Sequence, residues 1–193
     1  MAAGMTAVMP LAMDIYLILM PMIAHDLGAT LAETQATMVV FSLGFGLAQL
    51  GIGAAADRFG RRPVALVGTM GFVVASVAVV LAPTLAWIAI GRFVQGVTIA
   101  ACPILGRTII RDSVPPAQTA RVYSFANGLS GLAPVVAPLI GAGLAYVGGW
   151  RFALAGLAVY AVVMFAILAF RLPETRPEEA ARNPTSPLSA AGQ

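Results

Sequence analysis

The sequence predicts an all-α membrane protein with six transmembrane helices and both termini in the cytoplasm. Three observations carry that prediction. Hydrophobic residues make up 60% of the chain and charged residues 10%, with a mean hydropathy of +0.91, whereas soluble domains carry about 25% charged residues. Residues 34–56, 63–91, 122–150 and 152–170 contain no charged side chain. Each stretch matches or exceeds the roughly 20 apolar residues that cross a bilayer core. The 11 basic residues are all arginine, and almost all of them fall on alternate loops.

The elements follow in order. The first span covers residues 4–24. No arginine precedes Asp26, and Asp14 interrupts the apolar stretch, so this segment reads as a retained span and not as a secretory signal peptide. The second span, 32–56, starts just after Thr30-x-x-Glu33, which matches a capping box. The third, 64–82, has Pro63 in its first turn, where a missing N–H does no harm. Ala82-Pro83-Thr84 forms a tight turn into the fourth span, 85–106. Val114-Pro115-Pro116 breaks any helix in the longer loop that precedes the fifth span, 123–147. Gly148-Gly149 separates that span from the sixth, 151–170. Residues 1–171 thus read as one transmembrane domain. Residues 172–193 hold four prolines and no apolar period, and read as a disordered cytoplasmic tail or the start of a linker.

Arginine placement sets the orientation. With the N-terminus inside, the inner loops hold Arg58, Arg61 and Arg62, then Arg107, Arg111 and Arg121, and the tail adds Arg171, Arg176 and Arg182. Only Arg151 lies outside, and Arg92 lies within a span. That asymmetry is the positive-inside pattern.

Several function classes are excluded. A single cysteine, Cys102, rules out a disulfide framework and a cysteine-based metal site. A net charge of +3, scattered over the chain, does not suggest nucleic acid. No Ser/His/Asp set, metal-ligand cluster or phosphate loop appears, so neither an enzyme nor a bound cofactor is expected. His25, the one histidine, reads as a solvated residue at the outer rim.

Two ionisable groups inside spans are the main candidates. A carboxylate at mid-bilayer is costly when ionised, so Asp14 is either protonated or facing a wet cavity, and either condition suits a proton carrier. A structural polar contact between helices is the plainer alternative. Pro10, Asp14 and Pro21 share one helical face. Arg92 lies about two turns past Pro83, within reach of the interface by snorkelling. Gln95, three positions on, lies on the same side and can share its network. Met5, Met9, Met13 and Met20 form a stripe beside Asp14. Flexible thioethers suit a wall for varied apolar substrates, and an ordinary packed or lipid-facing stripe is the other reading. Tyr16 adds an aromatic face and a hydroxyl to that wall.

The cytoplasmic loop is the densest charge cluster. Asp57 and Arg61 are placed to pair across the turn, with Asp112 as a second acid for Arg61, while Gly60 permits a sharp turn. The simple reading is topological, with arginines holding the loop inside. In span five, Gly128, Gly131, Gly141 and Gly143 allow close helix approach, and Pro134 and Pro138 lie one turn apart and favour bending.

Four motifs in register also resemble a known family. Gly53-x-x-x-Asp57-Arg58-x-Gly60-Arg61-Arg62 resembles the signature between helices two and three of the major facilitator superfamily. Asp14-Ile15-Tyr16, Arg92-Phe93-Val94-Gln95-Gly96 and Gly131-Leu-Ala-Pro134-Val-Val-Ala-Pro138-Leu-Ile-Gly141 resemble motifs of its drug:proton antiporters related to bicyclomycin and chloramphenicol resistance proteins. Gly149-Trp150-Arg151 and Leu172-Pro173-Glu174-Thr175 resemble the same branch.

The resemblance implies the N-terminal half of a two-half transporter in a bacterial inner membrane. Its implied activity is export of amphipathic drugs or small metabolites in exchange for protons by alternating access. It implies proton coupling for Asp14 and Arg92, and a conformational latch for the Gly53–Arg62 loop with Asp112. It further implies an exchange role for Gly131, Pro134, Pro138 and Gly141. The partners expected are the lipid bilayer, a proton, a small amphipathic substrate and a second six-helix half, whether a missing C-terminal half or another copy. The alternative is a non-transporting remnant or membrane assembly partner.

Overall fold

The computed structural model of the chain describes residues 2–113 and 115–172. The expected tail, apart from Leu172, lies outside the described residues. The described residues form six helices: α1 (Ala2–Asp26), α2 (Leu31–Phe59), α3 (Arg61–Val80), α4 (Leu85–Ile99), α5 (Ala101–Ser113) and α6 (Pro116–Arg171). No strand occurs among the described residues.

Local chemistry sets the boundaries. Thr30 caps α2 reciprocally with Glu33: the Glu33 amide donates to Thr30 Oγ1 at 3.2 Å, and the Thr30 amide donates to Glu33 Oε2 at 2.8 Å. This satisfies two amides that no helical carbonyl can reach. Gly60 alone separates α2 from α3. Its φ of 94° is a conformation that side chains resist, and it lets the second helix start one residue after the first ends. Thr84 caps α4 by accepting from the Trp87 amide at 3.3 Å. Pro115 and Pro116 stand at the N-cap and first position of α6, where no amide is needed.

Two boundaries depart from the sequence expectation. Span four does not stop near residue 106: α4 gives way at Ala100 directly to α5, which runs to Ser113. Ala100 itself keeps right-handed helical dihedrals (φ −59°, ψ −24°), so little interrupts the rod. The second departure is α6, a helix of 56 residues. At 1.5 Å per residue it would reach about 84 Å if straight, far beyond a bilayer. It is not straight. Gly148 (φ −141°) and Gly149 (φ 75°) leave helical geometry, and the chain reverses, so that Leu144 packs against Gly156. The reversal falls at the expected division between spans five and six. We call residues 116–147 the first arm and 150–171 the second.

Among the described residues, the helices long and apolar enough to cross a membrane are α1, α2, α3, the α4–α5 rod and the bent α6. The core is built from one face of α1 (Val8, Ala12, Tyr16, Leu19, Ile23) packed against α6 and the α4–α5 rod. Pro10 and Pro21 sit inside α1, and Pro134 and Pro138 sit inside α6, with no break at any of them. The glycines of the first arm are less involved in packing than expected. Gly128, Gly131 and Gly143 have open space beside them, and Gly141 alone approaches a neighbour, at Ile15 and Ile18 of α1.

Candidate functional site

Arg92 stands at the centre of the bundle, 1% exposed, and does not snorkel. Its position depends on how α2 and α4 cross. Gly96 faces the backbone at Phe41, and a side-chain carbon there would collide with the Phe41 carbonyl. Gly44 repeats the contact from the other side, against the Phe93 carbonyl. Two glycines thus let α2 and α4 touch backbone to backbone, which lays the Phe41 ring over the Arg92 side chain.

The guanidinium is held between two rings, with its Cζ 4.1 Å from the Tyr16 centroid and 4.3 Å from that of Phe41. Stacking a cation on aromatic faces in a desolvated setting stabilises by about 2 kcal/mol. Nη1 donates to the Ala12 carbonyl at 3.4 Å and to Gln95 Oε1 at 3.1 Å. Gln95 Nε2 in turn donates to Ser76 Oγ at 2.9 Å. On the far side of the Tyr16 ring its hydroxyl meets Thr37 Oγ1 at 2.6 Å, and Thr37 donates onward to the Thr34 carbonyl. One network therefore links α1, α2, α3 and α4, and every side chain in it is buried.

Asp14 is elsewhere. It is half-buried, and no hydrogen bond or ion pair joins it to Arg92. The reason is helical geometry. Tyr16 and Ala12 lie two positions either side of Asp14, which puts them on the opposite face of α1. Asp14 shares its own face with Pro10 and with exposed Leu17, Ile18 and Pro21. The structure therefore brings Tyr16 and Gln95 to Arg92 and leaves Asp14 apart. Of the methionine stripe, Met5 and Met20 are core residues, while Met9 and Met13 are half-buried against the core.

The loop candidates are placed as follows. Gly53 and Asp57 are exposed, and no ion pair between Asp57 and Arg61 occurs among the described residues. The turn between them falls at Gly60, as expected. Arg58 covers the Phe59 ring at 5.2 Å. Arg61 is buried, and Arg62 donates to the Ala169 carbonyl near the end of α6 at 3.1 Å. The side chain of Asp112 lies outside the described residues. In the first arm, Pro134 and Pro138 stand within continuous helix, with Gly131 open and Gly141 against α1.

Sequence reasoning missed Phe41, Thr37 and Ser76. No local signal marks them, since their role depends on where helices cross. It also left Trp150 without a task. That side chain is 1% exposed and its Nε1 donates to Asp26 Oδ2 at 2.8 Å. Arg151 stacks on the Trp150 ring at 4.1 Å and donates to the Ala82 carbonyl at 3.1 Å. Three turns at one end of the bundle are tied together in this way. His25 is well exposed there, 3.5 Å from Asp26 Oδ1. A groove of about 500 Å³ between α2, α3 and the α4–α5 rod, lined by Ile52, Val64, Val67 and Val97, is apolar and contains neither Arg92 nor Asp14. No group of His, Cys, Asp or Glu suited to a metal occurs among the described residues.

Comparison with known proteins agrees with this architecture. The family model of the Major Facilitator Superfamily matches residues 2–191. Multidrug resistance protein MdtL of Klebsiella pneumoniae subsp. pneumoniae is 36% identical over 168 residues, covering 87% of this chain and 43% of the relative. MdtL of Escherichia coli matches to the same extent. The chain thus spans less than half the length of the curated relatives it matches. Among solved structures, the human organic anion transporter MFSD10 (TETRAN) superposes with a TM-score of 0.74 at 19% identity, covering 93% of this chain and 48% of that one. A bacterial homologue of the human lysosomal transporter Spinster, inward-facing and occupied, gives 0.63 at 16% identity, over 94% and 46%. The helical bundle, its apolar spans and the family match over almost the whole chain lead to one conclusion: this protein belongs to the Major Facilitator Superfamily.

Proposed function

We propose that the chain supplies the N-terminal half of a drug:proton antiporter in a bacterial inner membrane, with six crossings and both ends in the cytoplasm. Amphipathic drugs or small metabolites leave as protons enter, and alternating access rocks this half against a second one. Asp14 carries the proton, and Arg92 is the buried charge that answers it. Met13, Tyr16 and Gln95 border the substrate path. The loop of Gly53, Asp57, Arg58, Gly60, Arg61 and Arg62, with Asp112, latches one state. Gly131, Pro134, Pro138 and Gly141 seal the fifth crossing during exchange.

The observation that carries this reading is the enclosed Arg92. A cation inside a membrane bundle is expensive and marks function by default, and here four helices are arranged around it. The similarity to multidrug resistance proteins supports the substrate class. The nine arginines on the inner loops and tail support the orientation.

Drug-driven proton release from proteoliposomes tests the proposal. Addition of an amphipathic dye releases protons from vesicles holding the wild-type chain, and Asp14→Asn abolishes the release. Equal release by the variant removes Asp14 from the mechanism. No release from the wild type overturns the proposal for this chain acting on its own.

A further inference from the structure

We infer that the free edge of the Arg92 guanidinium is a binding site for the carboxylate of an amphipathic organic anion. The inference rests on the transporter reading above for how a ligand gains entry, and on geometry for everything else.

A guanidinium has two faces and three edges from which its N–H groups project. Both faces of Arg92 are covered, one by Tyr16 and the other by Phe41. Nη1 is engaged by Ala12 and Gln95. Nε and Nη2 are buried and have no acceptor. These two nitrogens share one edge, and their N–H groups run parallel at the spacing of two carboxylate oxygens. A buried donor without a partner is destabilising, and more so when it is charged.

None of the carboxylates among the described side chains meets this need. Asp14 lies on the opposite face of α1. Asp26 accepts from Trp150, and Glu33 is committed to the cap of α2. Asp57 lies at the far end of α2 from that cap, in the exposed last turn. A water molecule would satisfy an N–H group but would leave the charge uncompensated, whereas a carboxylate does both. Because rings cover both faces, only a group in the guanidinium plane reaches the free edge. This favours a planar carboxylate over a tetrahedral phosphate. Arg92 is 1% exposed, so a ligand reaches the edge only when the helices around it move apart, and the Tyr16–Thr37 hydrogen bond between α1 and α2 is one tie that can open.

Benzoate and its neutral isostere benzamide are the probes, titrated against the full chain in lipid nanodiscs by saturation-transfer NMR. Benzoate binds the wild type at least about tenfold more tightly than benzamide, and Arg92→Lys, which keeps the charge but loses the planar edge, weakens benzoate by about tenfold or more. Equal binding of the two probes overturns the inference, and so does an Arg92→Lys variant that binds benzoate as the wild type does. The comparison of probes on the wild type needs no variant, so misfolding of Arg92→Lys cannot shelter the claim. Binding is read without transport. Proteoliposomes that release no protons while the chain discriminates the probes would overturn transport by this chain on its own and leave this site standing, and the converse result would do the reverse.

Discussion

Asp14 and Arg92 both lie within membrane-spanning helices, yet their surroundings are opposite in kind. Arg92 is enclosed by groups from α1, α2 and α4, with rings on both faces and a side-chain chain running out to Ser76 of α3. Asp14 is half-buried on the other side of α1, beside exposed Leu17, Ile18 and Pro21, and its Oδ2 is buried without a hydrogen-bond partner. The contrast teaches that a charged residue in a span serves either the interior of its own bundle or what lies outside it. Arg92 organises this half. Asp14 takes no part in that network.

Substitutions can break or sharpen that contrast. The largest effect is expected at Gly96, where a side chain would push α2 off α4 and dismantle the enclosure. Gly96→Val should destabilise by about 3 kcal/mol or more. Cys102, the sole cysteine, is buried, so its reaction with a thiol-reactive fluorophore during heating reports the loss. Phe41→Leu removes one of the two rings from the guanidinium and should cost about 2 kcal/mol by the same assay, with Phe41→Tyr close to the wild type. Asp14→Asn should move stability least, within about 0.5 kcal/mol, because no bond in this half depends on its charge. Were Asp14→Asn to cost as much as Phe41→Leu, the two sites would not differ in the way described. If Asp14→Asn leaves stability intact while abolishing proton release, the contrast sharpens: the fold depends on Arg92, whereas Asp14 serves the exchange alone.

What was legible in the sequence was local. The Thr30–Glu33 cap, Pro63 in the first turn of α3, and the reversal at Gly148-Gly149 each depend on neighbours a few residues away, and the structure places all three as read. That the helices are long and apolar enough to cross a membrane was legible because apolar length is a property of a single segment. The turn between Asp57 and Arg61 was legible at Gly60, whose positive φ suits glycine. The surroundings of Arg92 were only partly legible. Gln95 could be placed by helical spacing, but Phe41, Thr37 and Ser76 lie 51, 55 and 16 positions away in sequence. They reach the site through a crossing that Gly44 and Gly96 permit, and no periodicity announces which glycine meets which helix.

The ties between the two ends of the chain bear on how it is made. Trp150 reaches Asp26 across 124 positions, Ser130 reaches Thr6 across the same interval, and Tyr160 reaches Gly4 across 156. At roughly 5–20 residues per second on the ribosome, α1 waits on the order of 10 s in the lipid before these neighbours emerge. During that interval it holds an acid and two prolines without the packing that later surrounds it. Of the helices described, α1 is therefore among the last to be locked in place, and a lesion in the hairpin of α6 should be felt as early degradation of α1.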